Sequence, residues 1–275
     1  FTHAFFKALL FLGSGSVIHA MSGEQDMSKM GGLKNKIPVT YWTMGLATLA
    51  IAGIPPLAGF VSKDEILWSS FAGPWGYKPL WVVGVATAGL TAFYMFRLLF
   101  MTFWGERRYS DEVSKHLHES PKSMLIPLCV LAALSAVGGF LGWPVVLGGV
   151  NHLEHFLSPV FENPIVPELH HYAHSVEYAL MALSIGVAAL GIYFAYSFYV
   201  KNPEIPGRLT NSLRVSHSIL FNKFYVDQLY DALFINRIKN LGNGFSMLDS
   251  KVVDGGVNGS AWLTRIIAKA SGRWD

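Results

Sequence analysis

The chain has 275 residues, of which 52% are hydrophobic and only 14% are charged. That is little charge for a soluble domain of this size, so the composition predicts an integral membrane protein. A formal net charge of +3 argues against a nucleic-acid-binding protein. The single cysteine, Cys129, excludes an internal disulfide framework.

Five apolar stretches are long enough, or nearly so, to cross a hydrocarbon core, which takes about 20 helical residues. They cover residues 1–21, 39–71, 79–104, 124–149 and 176–200. We therefore predict an all-α membrane protein, a bundle of about five transmembrane helices of which the second is broken at prolines. Because Phe1 already stands inside an apolar helix, we interpret the chain as a fragment of a longer protein.

Residues 203–275 form a more polar tail. Seven of its apolar residues recur at the i, i+3, i+4, i+7 spacing of an amphipathic helix, namely Val226, Leu229, Tyr230, Leu233, Phe234, Ile238 and Leu241. We expect four glycines to interrupt this helix, Gly242, Gly244, Gly255 and Gly256. Such a helix lies along a lipid surface or along neighbouring helix ends. An ordinary solvated tail is the alternative.

Lysine and arginine collect in alternate loops, after the first, third and fifth stretches. Short loops that carry positive charge stay on the cytoplasmic side of a membrane. We therefore predict that the first loop, the third loop and the tail face the cytoplasm.

The first apolar stretch contains His3, Lys7 and His19. Charged side chains at membrane depth are costly, so each is a functional hypothesis. His3 and Lys7 are four residues apart and share one helix face, which makes them a candidate two-step proton relay. We expect His19 to lie near the cytoplasmic mouth of the proton path. The alternative is that Lys7 forms a structural ion pair and the histidines bond backbone carbonyls.

The second stretch reads LAIAGIPPLAGFVSKDEILW. Pro55 and Pro56 supply no N–H, so the helix must stop there, and a break at membrane depth indicates an aqueous cavity. We include Gly59 in this break.

Ser62 and Glu65 have the spacing of a capping box, which predicts a new half-helix with Lys63 in its first turn. The positive end of that helix would lower the proton affinity of Lys63 and Asp64 would raise it. An ordinary charged helix start at the membrane surface is the alternative.

The outer loop is rich in histidine, at His152, His155, His170, His171 and His174. These residues have no accompanying cysteine and no regular ligand spacing, so we predict no metal site.

Three segments, THAFFKALLFLGSGSVIHAM, EQDMSKMGGLKNKIPVTYW and LAIAGIPPLAGFVSKDEIL, closely resemble the large antiporter-like membrane subunit of respiratory complex I, called subunit L or subunit 5. The resemblance implies that Lys7 is the central relay lysine and His3 its partner. It also implies that Lys63 and Asp64 are the terminal lysine and its neighbour, towards the outward exit. The tail resembles the start of that family's long lateral helix.

The resemblance implies a transmembrane proton-channel half at residues 1–202 and a lateral-helix region on the cytoplasmic side at residues 203–275. It implies a non-redox subunit of a proton-translocating NADH:quinone oxidoreductase, driven by NADH, FMN, iron–sulfur clusters and quinone in partner subunits. We expect no cofactor in this chain, other complex I membrane subunits and the bilayer as partners, and a bacterial inner membrane. An Mrp-type cation/proton antiporter and a purely structural role are the alternatives.

Overall fold

A computed structural model describes residues 1–73, 76–161 and 172–272 of the chain. Every regular element in these ranges is a helix, which confirms the predicted all-α class. The α-helices in chain order are α1 (Thr2–Ala20), α2 (Pro38–Ala52), α3 (Ala58–Ala72), α4 (Lys78–Phe103), α5 (Asp111–His116), α6 (Lys122–Val137), α7 (His152–Phe161), α8 (His174–Tyr196), α9 (Ile205–Ser212), α10 (Arg214–Phe221), α11 (Val226–Tyr230), α12 (Asn236–Leu248) and α13 (Asp254–Ser271). The chain divides into two compact units, Phe1–Pro206 and Gly207–Asp275.

Three helical segments among the described residues are long and apolar enough to cross a membrane: Lys78–Phe103, Lys122–Gly142 and His174–Lys201. They correspond to the third, fourth and fifth predicted spans. The helix α1 has 19 residues, whereas α2 and α3 have 15 each. A 15-residue helix is only about 22 Å long, short of a hydrocarbon core of about 30 Å.

The first unit is held together by close helix packing. The helix α4 runs against α8, while α1 packs against both α2 and α6. Small residues let α4 and α8 approach closely: a Cβ atom added at Gly191 would overlap the backbone of Gly89. Small residues at helix contacts are typical of membrane bundles, where backbones pack without a hydrophobic driving force between helices.

A carboxylate caps the start of α2. Glu119 accepts a hydrogen bond from the backbone N–H of Val39 at 2.8 Å and one from the Thr40 hydroxyl at 2.6 Å. The N-terminus of a helix has unpaired N–H groups and a partial positive charge, so it favours a carboxylate. The buried Ser16 and Ser120 hydroxyls lie 2.7 Å apart, and Ser16 is equally close to Thr40.

The loops after α1 and α4 meet at one end of the bundle. The Arg108 guanidinium donates to the carbonyls of Met27 and Ser28, at 3.2 and 2.8 Å. Both loops belong to the basic set assigned to the cytoplasm from the sequence, and their contact agrees with a common side for the two.

The predicted capping box is wrong. The helix α3 begins at Ala58, its first residue after the cap position Leu57, and no side chain caps it. Ser62 lies inside the helix, where its hydroxyl donates to the carbonyl of Ala58 at 3.3 Å. Nothing after Pro56 opposes a helix, so it restarts four residues earlier than predicted. Lys63 consequently lies in the second turn.

Gly59 belongs to α3 and not to the segment between the helices. A Cβ atom at this position would overlap the carbonyl oxygen of Ala50 on α2. Glycine is therefore required because the two helices cross in contact, and not because the chain turns there.

In the second unit, α10 and α11 are separated by three successive residues with positive φ, Lys223, Phe224 and Tyr225. From Val226 to Ser271 the backbone then stays helical, with π-helical turns at Asp231–Ile235 and Asp249–Val253 joining α11, α12 and α13. This helical stretch is about 70 Å long at 1.5 Å per residue.

The predicted interruption of the tail helix at its glycines is wrong. Gly242 and Gly244 lie inside α12, and Gly255 and Gly256 lie in the first turn of α13. A glycine costs about 1 kcal/mol in a helix relative to alanine, which weakens the helix without ending it. The apolar stripe is exposed along the unit, for example at Leu229 and Ile238.

The crossing of α2 and α3 yields a prediction about stability. Gly59→Ala should lower the stability of the bundle by about 1–3 kcal/mol, because the added methyl group forces the helices apart. Gly45→Ala is the matched control, since a Cβ atom at Gly45 in α2 meets no atom within 4 Å. Thermal unfolding of the detergent-solubilised protein measures both. Equal melting temperatures for the two variants would contradict the crossing.

Candidate functional site

A cavity of about 500 Å³ lies among α1, α3, α4 and the end of α2. Three of the predicted site residues line it together: His3 and Lys7 from α1, and Lys63 from α3. Lys63 is more than fifty residues from the other two in the sequence, and the packing of α1 against α3 brings all three to one space.

Lys63 is held by the end of α2. Its Nζ donates a hydrogen bond to the carbonyl oxygen of Ile51 at 2.8 Å. In an unbroken helix that carbonyl would accept from the residue four positions on, which here is Pro55, and proline has no N–H. The chain leaves the helix at Gly53, where φ is +80°, and the Lys63 methylenes lie against this glycine.

The predicted electrostatic surroundings of Lys63 are therefore wrong in part. The ammonium lies at the C-terminal carbonyls of α2, the negative end of that helix, and not at the positive end of its own. Asp64 does not form an ion pair with it in the described structure. Successive helix residues are rotated by about 100°, so Lys63 and Asp64 leave α3 in different directions.

His3 and Lys7 line the cavity from α1, as their shared face predicts. Both are exposed in this chain, so the predicted burial of the pair is not found. The His3 ring packs edge-on against Phe6, with 5.4 Å between ring centroids. The pair therefore forms an open wall of the cavity.

Hydroxyl groups complete the lining, and the sequence reasoning missed them. Thr87, Thr91 and Tyr94 come from α4 and Ser62 from α3. The hydroxyls of Thr87 and Thr91 donate to the carbonyls four residues before them, both at 2.7 Å, which leaves their oxygens able to accept from water. The spacing 87, 91, 94 is that of one helix face and was a usable signal.

His19 does not line the cavity. It is exposed near the C-terminus of α1, and its ring lies 5.8 Å from that of His118. His118 in turn places Nδ1 2.8 Å from the carbonyl oxygen of Glu119, the residue that caps α2. His19 thus belongs to a polar cluster at the end of the bundle where the basic loops meet.

Asp64 is 8% exposed and lines a different, small cavity of about 10 Å³. Glu177, from the first turn of α8, lines the same cavity. Sequence reasoning did not associate Glu177 with Asp64, since no local spacing links α3 to α8.

His170 and His171 lie outside the described residues. Within the part of the chain that is described, no group of three His, Cys, Asp or Glu side chains is arranged to hold a metal ion.

Comparison with known families gives two matches that follow one another along the chain. Residues 1–91 match a family described as NADH:quinone oxidoreductase/Mrp antiporter transmembrane segments. Residues 100–249 match a family described as the C-terminal transmembrane segments of an NADH dehydrogenase component of complex I.

Curated relatives carry related names. NAD(P)H-quinone oxidoreductase chain 5 of Picosynechococcus is 40% identical over 300 residues, covering 98% of this chain and 43% of that protein. NADH-quinone oxidoreductase subunit L of Rhodobacter capsulatus is 35% identical over 329 residues, covering 95% of this chain and 46% of that protein. NADH-quinone oxidoreductase subunit L of Mycobacterium tuberculosis is 40% identical over 268 residues, covering 95% of this chain and 40% of that protein. The chain therefore spans less than half the length of these relatives.

The resemblance inferred from the sequence is thereby confirmed. Since one family match covers more than half of the residues and the two together run from the first helix into the tail, the chain belongs to the family of antiporter-like transmembrane subunits of NADH-quinone oxidoreductase, complex I.

Proposed function

We propose that this chain carries protons across a membrane as part of a redox-driven NADH-quinone oxidoreductase. The observation that carries the proposal is the cavity that His3, Lys7 and Lys63 line together. The redox cofactors, NADH, FMN, iron–sulfur clusters and quinone, would belong to partner subunits, and this chain would perform no redox step.

In this proposal the groups of the cavity act in sequence. A proton enters from the cluster around His19, reaches the His3–Lys7 pair, and passes through water to Lys63. Water in the cavity can bond the oxygens of Thr87 and Thr91, so a water chain would have fixed partners along α4. Two ammonium groups that face one cavity repel each other, so arrival of a proton at Lys7 would favour release from Lys63.

The hydrogen bond of Lys63 supports a role as an acceptor site. A carbonyl at the C-terminus of α2 stabilises the charged ammonium without neutralising it, unlike a carboxylate. Loss of the proton would weaken this hydrogen bond, to which the neutral amine can still donate, and would separate no ion pair. Such a site can be loaded and emptied at small cost.

The complex I assignment has more support than the Mrp alternative. The match over residues 1–91 names both classes, whereas the match over residues 100–249 names complex I. The same proposal includes a topology of five spans, of which the second is broken at prolines, with the basic loops on the cytoplasmic side of a bacterial inner membrane. It also includes two functional regions, 1–202 and 203–275. The exposed apolar stripe of the tail would contact other membrane subunits.

The relay predicts the effect of changing Lys7. Lys7→Ala should abolish proton transport through this subunit, and Lys7→Arg should impair it strongly because a guanidinium does not release its proton. Proton pumping by membranes that contain the assembled complex measures this, at matched assembly. Lys36→Ala, which removes an exposed loop lysine, is the control. Normal pumping stoichiometry in Lys7→Ala would refute the relay.

A second prediction concerns Lys63. Lys63→Met keeps most of the side-chain length but loses the ammonium, so transport should fall at least tenfold, whereas Lys78→Met at the exposed start of α4 should transport normally. Accessibility of a cysteine at position 63 to an impermeant thiol reagent tests the orientation. The exposed native thiol requires a Cys129→Ser background. Labelling from the cytoplasmic side alone would contradict the proposed outward exit.

A third prediction concerns the tail. Truncation after Asn222 removes the long helical stretch at its natural boundary and keeps α9 and α10. If the stripe of the tail contacts neighbouring subunits, the truncated chain should leave the assembled complex on native gels while the first unit stays folded. A truncation after Ser271, which removes only the last few residues, is the control. If the chain truncated after Asn222 still migrates with the complex, the tail is an ordinary solvated segment.

A further inference from the structure

Two carboxyl groups from different helices meet in the first unit, away from the cavity of the lysines. Asp64 of α3 and Glu177 of α8 line one small cavity of about 10 Å³. A cavity needs roughly 10–15 Å³ to hold one water molecule, so this space is about the size of a single water. The rest of its wall is apolar and comes from Leu67, Trp68, Trp81, Leu180 and Met181.

Asp64 is more than nine-tenths buried, and no hydrogen bond or ion pair to its carboxyl group is present in the described structure. An ionised carboxylate in an apolar space is strongly disfavoured unless it is paired. A second carboxylate across the same space disfavours full ionisation further. The arrangement therefore favours one proton between the two groups over none.

Glu177 connects the pair to the surface. Its side chain is 17% exposed, and its carboxylate oxygen lies 3.9 Å from Nδ1 of His174, which is 82% exposed. It lies in the first turn of α8, where the helix dipole stabilises negative charge. The other charged group near Asp64 is Glu65, one residue further along α3 and exposed. Among the residues that the structure describes, Glu177 is the one that joins buried Asp64 to an exposed titratable group through one cavity.

We propose that Asp64 and Glu177 share one proton through a single water molecule and form the last internal proton-carrying pair before the surface at the start of α8. In each transfer the acid gives its proton to the water while the water gives another to the facing carboxylate, so the two groups exchange roles. This inference assigns Glu177 a role and rests on the proposed function for the direction of transport.

The shared proton can be tested without measuring transport. Apolar carbodiimides modify carboxyl groups that are protonated in apolar surroundings, so dicyclohexylcarbodiimide applied to membranes containing the whole complex should label the pair at pH 7. In Asp64→Asn, Glu177 loses its like-charged neighbour and ionises, so its labelling, read by mass spectrometry, should fall several-fold. Glu112→Gln, which removes an exposed carboxyl of α5, should leave it unchanged. Equal Glu177 labelling with and without Asp64 would overturn the proposal.

Transport gives the second arm at matched assembly. Glu177→Gln should reduce proton pumping at least fivefold, and Glu177→Asp should restore a large part of it because a carboxyl group returns. Equal pumping by the glutamine and aspartate variants would show a merely structural position and overturn the assignment. If Lys7 and Lys63 variants pump normally while Asp64→Asn still lowers labelling, the proposed function fails and the shared proton stands. If the lysine variants fail and labelling is insensitive to Asp64, the pair alone is refuted.

Discussion

The hydrogen bond between Lys63 and the carbonyl of Ile51 is the interaction on which the rest of the site depends. It exists because Pro55 cannot donate to that carbonyl, which would otherwise be used inside α2. A hydrogen bond to a charged group is worth about 1.5–3 kcal/mol, enough to fix a long and flexible side chain. One missing N–H thus places an ammonium group in the cavity wall, where it forms no ion pair with any residue that the structure describes.

Fixing Lys63 also decides where its neighbour goes. With the lysine turned to the end of α2, the helical rotation of about 100° directs Asp64 to a neighbouring face of α3, against α8. Lys63 and Asp64 are adjacent in the sequence but are divided between two cavities. The larger cavity is the more open of the two and has hydroxyl groups in its wall, whereas the smaller is more closed, so the same helix presents a base to one cavity and an acid to the other.

Close contacts between helix backbones keep both cavities narrow. Gly59 lets α3 touch α2 at Ala50, and Gly89 with Gly191 lets α4 touch α8. These crossings set the width of both cavities, because α3 packs against both α2 and α4 and also reaches α8. A larger side chain at either crossing would move the proton-carrying side chains apart before it contacted any of them.

The sequence by itself determined the all-helical membrane character, the family, the shared face of His3 and Lys7, and the end of the second helix before its prolines. The family follows from the resemblance of three segments, and the other features follow from composition, helical period or a missing N–H, which are local properties. The tertiary structure alone decided that α3 starts at Ala58, that the tail helix continues through its glycines, and that Glu177 faces Asp64. Helix starts and glycine tolerance depend on small differences in free energy that a local sequence pattern does not resolve, and the meeting of α3 with α8 depends on contacts between residues more than a hundred positions apart.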